Sequence, residues 1–242
     1  MANTFYEAGA QRGAKVQVLF GKIAPRYDLL NDLQSFGLHR YWKRRVVQQA
    51  RPLPGQRALD LCCGTADLAL ALAHRGANVV GLDFGAEMLA IALQRSRRHP
   101  ASIIHLVRAD AQQLPFRDAS FDIVTVGYGL RNLANWETGL REMQRVAKPG
   151  GRLLVLEFGK PANRLWRGLY FSYLKAFVPV LGGLFCGDAA AYAYILESLK
   201  HYPAQHALAD KMREMGLAET RVINLLGGIM SINYAEKSGV LE

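Results

Sequence analysis

Beyond Gln56 the chain alternates short, largely apolar runs with stretches of helical periodicity. The runs are Ala58–Leu61, Val79–Leu82, Ile103–Val107, Ile123–Val126 and Leu153–Leu156. Helical patterns separate the early ones, over Asp67–His74 and over Glu87–Arg97, where apolar residues fall at 88, 89, 91 and 92. Strands without a polar face, joined through helices, predict a parallel sheet covered on both sides. Pro149-Gly150-Gly151 predicts a sharp turn into the fifth strand. Glu219–Asn224 and Ile229–Lys237 read as two further strands, joined through Leu225–Gly228 as an antiparallel hairpin. The expected fold class is α/β, with a mostly parallel seven-stranded sheet and an antiparallel C-terminal hairpin. Upstream, Lys15 to about Arg51 reads as helical and basic, after a frayed start over residues 1–15. The expected organisation is a helical N-terminal extension over 1–51 and one compact unit over 52–242.

Half of the 242 residues are hydrophobic and 21% are charged. That is globular composition and excludes a disordered or collagen-like chain. Cysteine is sparse (Cys62, Cys63 and Cys186) and shows no C-x-x-C spacing, so neither a metal site nor a disulfide framework is expected. The first fifteen residues lack the apolar core of a signal peptide. No run of about 18 uncharged apolar residues is present to span a membrane. A reduced, cytoplasmic setting is the expectation. Charge changes the picture further. Lys plus Arg is 30 against 20 Asp plus Glu, a formal net charge of +10. Residues 1–51 hold nine Lys/Arg and three acids, a net of +6. Such a surplus attracts polyanions, of which nucleic acid and anionic membrane are the large ones.

In open α/β sheets, ligands bind outside the carboxyl ends of the strands, at the topological switch point. Each of the first three strand ends carries an acid: Asp60, Asp83 and Asp110. Gly64 lets the chain turn tightly with a ligand close to its backbone. Asp83, 19 residues later, can accept from both ribose hydroxyls. Asp110 can accept from an adenine amino group, and the Ala111 N–H can donate to the ring. Asp60 and Thr65 are left for the amino-acid end of a ligand. A dinucleotide wants Gly-x-Gly-x-x-Gly. The loop here, Cys62-Cys63-Gly64-Thr65-Ala66-Asp67, has one glycine and an acid where phosphates would sit. It suits S-adenosylmethionine, which carries no phosphate and two positive centres. The alternative is that the acids act only as helix caps. Cys62 and Cys63 read as small packing residues, since nothing nearby would activate a thiolate.

Two longer motifs sharpen this. Tyr27-Asp28-Leu29-Leu30-Asn31, Ser35 and His39-Arg40-Tyr41-Trp42 form one, and Arg145-Val146-Ala147-Lys148-Pro149-Gly150-Gly151-Arg152 through Phe158 the other. With Gly129-Leu130-Arg131-Asn132, Tyr192-x-Tyr194-Ile195-x-x-Ser198 and Gly227-Gly228-Ile229, the chain from about Leu19 resembles the ubiquinone/menaquinone biosynthesis C-methyltransferases. It departs from their pattern at Ala66, where glycine is usual, and at Asn233, where histidine is common.

The resemblance implies a Rossmann-like class I S-adenosylmethionine-dependent methyltransferase fold and methyl transfer to a ring carbon of a polyprenyl quinol. Demethylmenaquinol is the first expectation; the benzoquinol precursor of ubiquinone and a phytyl naphthoquinol are the alternatives. On that reading Arg131 stabilises the quinol oxyanion, with Asn132 orienting it or the substrate. The alternative for Arg131 is a structural pair with an acid such as Glu157. Gly127 lets the methionine portion lie against the chain. Tyr128 packs beside the sulfonium, and Tyr27 closes over the cofactor. His39 has the intrinsic pKa of a base, but a helix-positioning hydrogen bond and proton loss to water are the competing readings. Asp28, Asn31, Ser35 and His39 would share one helix face if Phe36-Gly37 did not interrupt it.

The aromatic stretch 165–178 carries two cations and fits an interfacial or tail-binding helix. A core helix or a homodimer contact would use it otherwise. With the basic N-terminal helices it suggests association with the inner face of the cytoplasmic membrane. A nucleic-acid methyltransferase is disfavoured, because Gly127-Tyr128-Gly129-Leu130 is neither a Pro-Pro-aromatic segment nor a Pro-Cys nucleophile. A non-catalytic lipid or cofactor binder is the third class.

Overall fold

The computed structural model describes residues 12–99, 104–186, 196–199 and 201–239. The Tyr192, Tyr194 and Ile195 motif positions, Ile103 and the frayed start over 1–11 fall outside them. The apolar runs form β1 (Arg57–Leu61), β2 (Asn78–Asp83), β3 (Ile104–Arg108), β4 (Phe121–Gly127) and β5 (Ala147–Phe158). The C-terminal pair is β6 (Ala218–Leu225) and β7 (Met230–Glu236). One seven-stranded sheet results, in the order β3-β2-β1-β4-β5-β7-β6. The pairs among β1 to β5 are parallel, and β7 runs antiparallel between β5 and β6.

Both faces of the central strands β1, β4 and β5 are largely buried, which is why their sequences read as apolar runs, whereas the edge strands β3 and β6 are partly exposed. Alternate residues serve opposite cores. Ala58, Val79, Ile123, Leu154 and Leu156 meet α3 (Leu38–Ala50) and α4 (Asp67–Ala73) through Trp42, Val46, Val47, Leu68 and Leu72. Leu59, Leu61, Val124, Val126, Leu153 and Val155 meet α6 (Trp136–Val146) and α8 (Ala204–Glu214) through Leu140, Met143, Leu208 and Met212. A smaller cluster of Leu19, Leu30, Tyr170 and Leu174 ties α1 (Arg12–Ile23) and α2 (Tyr27–Ser35) to α7 (Arg164–Cys186). The remaining helix, α5, spans Ala86–Arg97. No helix among the described residues is long and apolar enough to cross a membrane.

The basic N-terminal stretch is helical, in three helices, and one other expectation needs correction in detail. A short 3-10 turn over Ala24–Arg26, containing Pro25, separates α1 from α2, and Phe36-Gly37 separates α2 from α3 with both residues left-handed. Proline lacks the amide proton of a helix interior and favours its first turn, which accounts for the first break. The turn into the fifth strand lies inside the strand rather than before it. Ala147 already pairs with Phe121, the chain bulges through residues 148–151, and Arg152 then pairs with Ile123.

Candidate active site

The strand order reverses between β1 and β4, and the ligand clefts open at that end. The β1–α4 loop turns through three left-handed residues, Cys62, Gly64 and Ala66. Asp83, at the end of β2, holds the loop in place. Its Oδ2 accepts from the Gly64 N–H at 2.8 Å and its Oδ1 from the Gly85 N–H at 2.8 Å. Burial raises its carboxyl above the ordinary range against these bonds. Each oxygen still has a lone pair for a ribose hydroxyl. The cleft above it, about 120 Å³, is also lined by Met88, Asp110, Ala111, Gly127 and Asn132. Asp110 is exposed and accepts from the Gln112 N–H at 2.8 Å, while Ala111 is buried. A Cβ on Gly127 would meet only the Leu68 side chain, at 3.8 Å, so the strand end is open to a ligand's approach. Apolar walls come from Leu82, Phe84 and Leu133, which the sequence reading did not single out.

A small recess continues this cleft between Tyr27, Lys43, Asp60, Gly64, Thr65, Asp67 and Gly127. It is rich in acids, the right chemistry for an ammonium and a sulfonium. Asp60 is buried and accepts from the Thr125 hydroxyl at 2.8 Å; burial pushes its carboxyl up to about 7. Burial also works to raise Asp67, but Lys43 and Arg95 overcome it and hold that carboxyl down at about 2. Lys43 reaches Asp67 at 2.6 Å, and Arg95 bonds its other oxygen. Thr65 lines the recess, but its hydroxyl already donates to Asp28 at 2.8 Å and accepts from Arg95 at 3.0 Å. Its side chain is therefore engaged within the protein, a refinement of its expected role. Lys43, Asp67 and Arg95 join sequence segments far apart, and no local pattern announced them. Burial raises the thiols of Cys62 and Cys63 well above the ordinary value, consistent with packing. Among the described residues, no group of three or more His, Cys, Asp or Glu side chains is placed to hold a metal ion.

A third cavity of about 430 Å³ lies beside the first two, walled by Leu19, Phe20, Trp166, Leu169, Leu174, Met230 and other apolar residues. Tyr27 and Tyr128 border all three spaces. They therefore mark where contents of the large cavity and of the cofactor cleft would meet. Burial pushes the Tyr27 hydroxyl up to about 12 and that of Tyr128 well above its ordinary value. Tyr128 is itself left-handed, and its carbonyl accepts from Arg131 Nη1 at 2.8 Å and Asn132 Nδ2 at 3.0 Å.

Arg131 pairs with Glu157, the structural alternative read for it. Its Nε lies 3.6 Å from Glu157 Oε1, and its guanidinium stacks 5.0 Å from the Phe158 ring. It also lines the large cavity. Burial raises the Glu157 carboxyl, and Arg131 opposes that rise. Asn132 borders the cofactor cleft rather than the large cavity. The expected shared face of α2 is only partly realised. Asn31, Ser35 and His39 line the large cavity, whereas Asp28 turns to Thr65 and Arg95. The Ser35 hydroxyl accepts from the His39 N–H at 3.2 Å and so bridges the break between α2 and α3.

A model of the ubiE/COQ5 methyltransferase family matches residues 8–237. The chain is 43% identical over 234 residues to a demethylmenaquinone methyltransferase of Desulfitobacterium hafniense, covering 95% of this chain and 92% of that protein. It is 41% identical over 232 residues to the ubiquinone/menaquinone biosynthesis C-methyltransferase UbiE of Azotobacter vinelandii, covering 94% and 92%. A solved S-adenosylmethionine-dependent methyltransferase from Aquifex aeolicus aligns with a TM-score of 0.59 at 16% identity, over 81% of this chain and 89% of that one. At that identity the likeness speaks for the fold, not for the substrate.

Proposed function

The chain belongs to the ubiE/COQ5 methyltransferase family, and from that premise we propose that it transfers the methyl group of S-adenosylmethionine to a ring carbon of a prenylated quinol, with demethylmenaquinol as the primary substrate. The observation that carries the reading is the pair of tyrosines, Tyr27 and Tyr128, shared by an acid-lined cofactor cleft and a large apolar cavity. Bound S-adenosylmethionine supplies an electrophilic methyl group. The cleft fits it: Asp83 offers acceptors for ribose, Asp110 and Ala111 face the adenine end, and Gly64, Asp60 and Asp67 lie toward the amino-acid end. Thr65 lines that end with its hydroxyl held by Asp28. Gly127 leaves room for the methionine chain.

The apolar cavity takes the quinol with its prenyl tail. Arg131 stabilises the quinol oxyanion, whose charge makes the ortho carbon nucleophilic. Asn132, sharing the Tyr128 carbonyl with Arg131, positions the loop on which both sit. Tyr27 closes the junction. Catalysis then rests on holding the ring carbon about 3–3.5 Å from the methyl group and in line with the sulfur. A prenyl tail dissolves in lipid, so the cavity mouth works at the membrane surface, on the inner face of the cytoplasmic membrane.

The names of the relatives span both a naphthoquinol and a benzoquinol product, so the head group is what the experiment decides. Purified protein is given methyl-labelled S-adenosylmethionine with demethylmenaquinol or the demethylated ubiquinol precursor, each reduced and in detergent. Label is expected in the naphthoquinol. Label in both makes the enzyme serve two pathways, and label in neither, with cofactor binding intact, overturns the reading.

A further inference from the structure

Five side-chain atoms of residues lining the large cavity are buried with neither a hydrogen-bond partner nor an ion pair: Asn31 Nδ2, His39 Nδ1, Trp42 Nε1, Tyr128 Oη and Tyr170 Oη. Unpaired buried polar groups are uncommon, because each loses its bonds to water without replacement. Their concentration in one otherwise apolar cavity marks where the polar head of a ligand belongs. Asn31 Nδ2 and Trp42 Nε1 can only donate. His39 Nδ1 differs from these.

The difference comes from Asp32. Arg40 grips both of its oxygens, Nε to Oδ1 at 2.9 Å and Nη2 to Oδ2 at 2.7 Å. With Arg40 first and His39 assisting, the carboxyl is held at about 2. It is therefore ionised and can only accept. His39 Nε2, 2.8 Å from Asp32 Oδ1, must carry the ring proton. Burial and the Lys43 ammonium lower the His39 pKa below its ordinary value, outweighing Asp32 and Asp67, so the ring is neutral at neutral pH. In that tautomer Nδ1 is a bare lone pair, on a side chain only 3% exposed that lines the cavity.

We propose that Asp32 and His39 form the proton-accepting pair of this site: Asp32 fixes the imidazole tautomer, and His39 Nδ1 takes the proton of the quinol hydroxyl. The inference rests on the quinol reading above. The O–H bond breaks and its proton passes to Nδ1. The ortho carbon forms a bond to the methyl carbon as the carbon–sulfur bond breaks, its electron pair going to sulfur. The methylated ring carbon then loses its hydrogen to water as a proton, and His39 returns its proton to the ring oxygen. One proton is released per methyl group transferred. His39 is the catalytic residue, and Asp32 is a positioning residue acting through it. Neither Asp32 nor its link to Arg40 was among the candidates read from the sequence.

The test compares His39→Ala and Asp32→Asn with the wild-type enzyme on a quinol that the wild type methylates, over pH 5 to 9. Charged and titratable groups around His39 are Asp32 on α2, Lys43 on its own helix, Asp67 at the start of α4, and Tyr27, Tyr128, Tyr170 and Arg131 across the cavity. The tyrosines are all raised by burial and stay neutral throughout. Asp60, at about 7, lies on the cofactor side, and its titration is read separately in cofactor binding. His39→Ala is expected to lose about 10²–10⁴ in kcat, to keep cofactor affinity, to lose the acidic limb of the profile and to regain turnover with added imidazole. Asp32→Asn removes the charge that supports the imidazolium, so the acidic limb moves to lower pH and kcat falls. A merely structural Asp32 would lower the rate without moving the limb. His39→Gln gives the same reading should the alanine variant not fold. Wild-type methylation with His39→Ala or His39→Gln near wild-type rate overturns the pair while leaving the quinol reading intact. Absence of wild-type methylation of any quinol overturns both.

Discussion

Arg131 has two duties that a single substitution confounds. It pairs with the buried Glu157 through Nε, and it lines the large cavity. On the reading proposed above, Arg131→Ala would remove an oxyanion donor; it would also strand a buried carboxylate, at about 3–5 kcal/mol. Replacing both partners, as Arg131→Met with Glu157→Gln, removes the stranded charge and isolates the chemistry. The double variant is expected to unfold within about 1–2 kcal/mol of wild type by urea titration, and calorimetry should show unchanged cofactor affinity. Its kcat should fall by about 10²–10³, as for the loss of one oxyanion donor. Near wild-type turnover would assign Arg131 to structure alone. The pairing with Glu157 could be read from the sequence, because Arg131 follows the fourth strand and Glu157 closes the fifth. Thr65 was harder. Its hydroxyl is taken by Asp28, 37 residues away, and by Arg95, 30 residues away, and single-chain spacing carries no record of such contacts.

The central strands were legible because burial on both faces leaves an apolar run. The helices α6 and α8 were not singled out, although Asn135 caps α6 by accepting from the Glu137 and Thr138 N–H groups. Ala66 shows the opposite case. The residue is buried and left-handed at φ 68°. That conformation costs an alanine about 1–2 kcal/mol relative to glycine, and a buried methyl returns about 0.8 kcal/mol, so the departure from glycine is nearly neutral. The α2–α3 turn and α7 present Phe36 at 74% exposure and Leu169 at 62%, both lining the large cavity, with Leu165 at 87% and Arg164 also exposed on α7. Phe36 stacks toward Phe177 on α7, so turn and helix form one apolar rim. Insertion of this rim into a bilayer predicts that Phe36→Ser with Leu169→Ser loses most binding to anionic phospholipid vesicles in flotation. It should also raise KM for a long-tailed quinol in vesicles while leaving a short-tailed soluble quinol unaffected. Equal effects on both substrates would place the rim's role inside the cavity instead.

The N-terminal helices are tied to the cofactor loop by ion pairs. Lys43 on α3 and Arg95 on α5 converge on Asp67, and Arg95 also bonds Asp28 on α2. Folding and the cofactor site therefore share an acid dependence whose sign differs between two neighbouring acids. Asp67 is held at about 2 when folded against an ordinary 3.8, so its pairing stabilises the fold above pH 4 and is lost as pH falls toward 2. That separation is worth about 2 kcal/mol, trimmed slightly because the side chain is one-fifth exposed. Asp60 is held up at about 7, so its neutral form favours the fold below pH 4, and that advantage is lost as pH rises to 7 and beyond. The size there is about 4 kcal/mol. Urea unfolding of wild type, Asp67→Asn and Asp60→Asn from pH 8 to 2.5 separates the two. Asp67→Asn should lower stability across the neutral range by about 2 kcal/mol without changing its slope there, and should flatten the loss between pH 4 and 2.5. Asp60→Asn should flatten the gain in stability between pH 7.5 and 4. Because an ammonium in the recess would favour the charged form of Asp60, cofactor binding near pH 7 should also release a proton in wild type, measured as a buffer-dependent binding enthalpy, and should not in Asp60→Asn. An unchanged wild-type slope in Asp60→Asn, or no proton release in wild type, would remove Asp60 from the amino-acid end of the cofactor site.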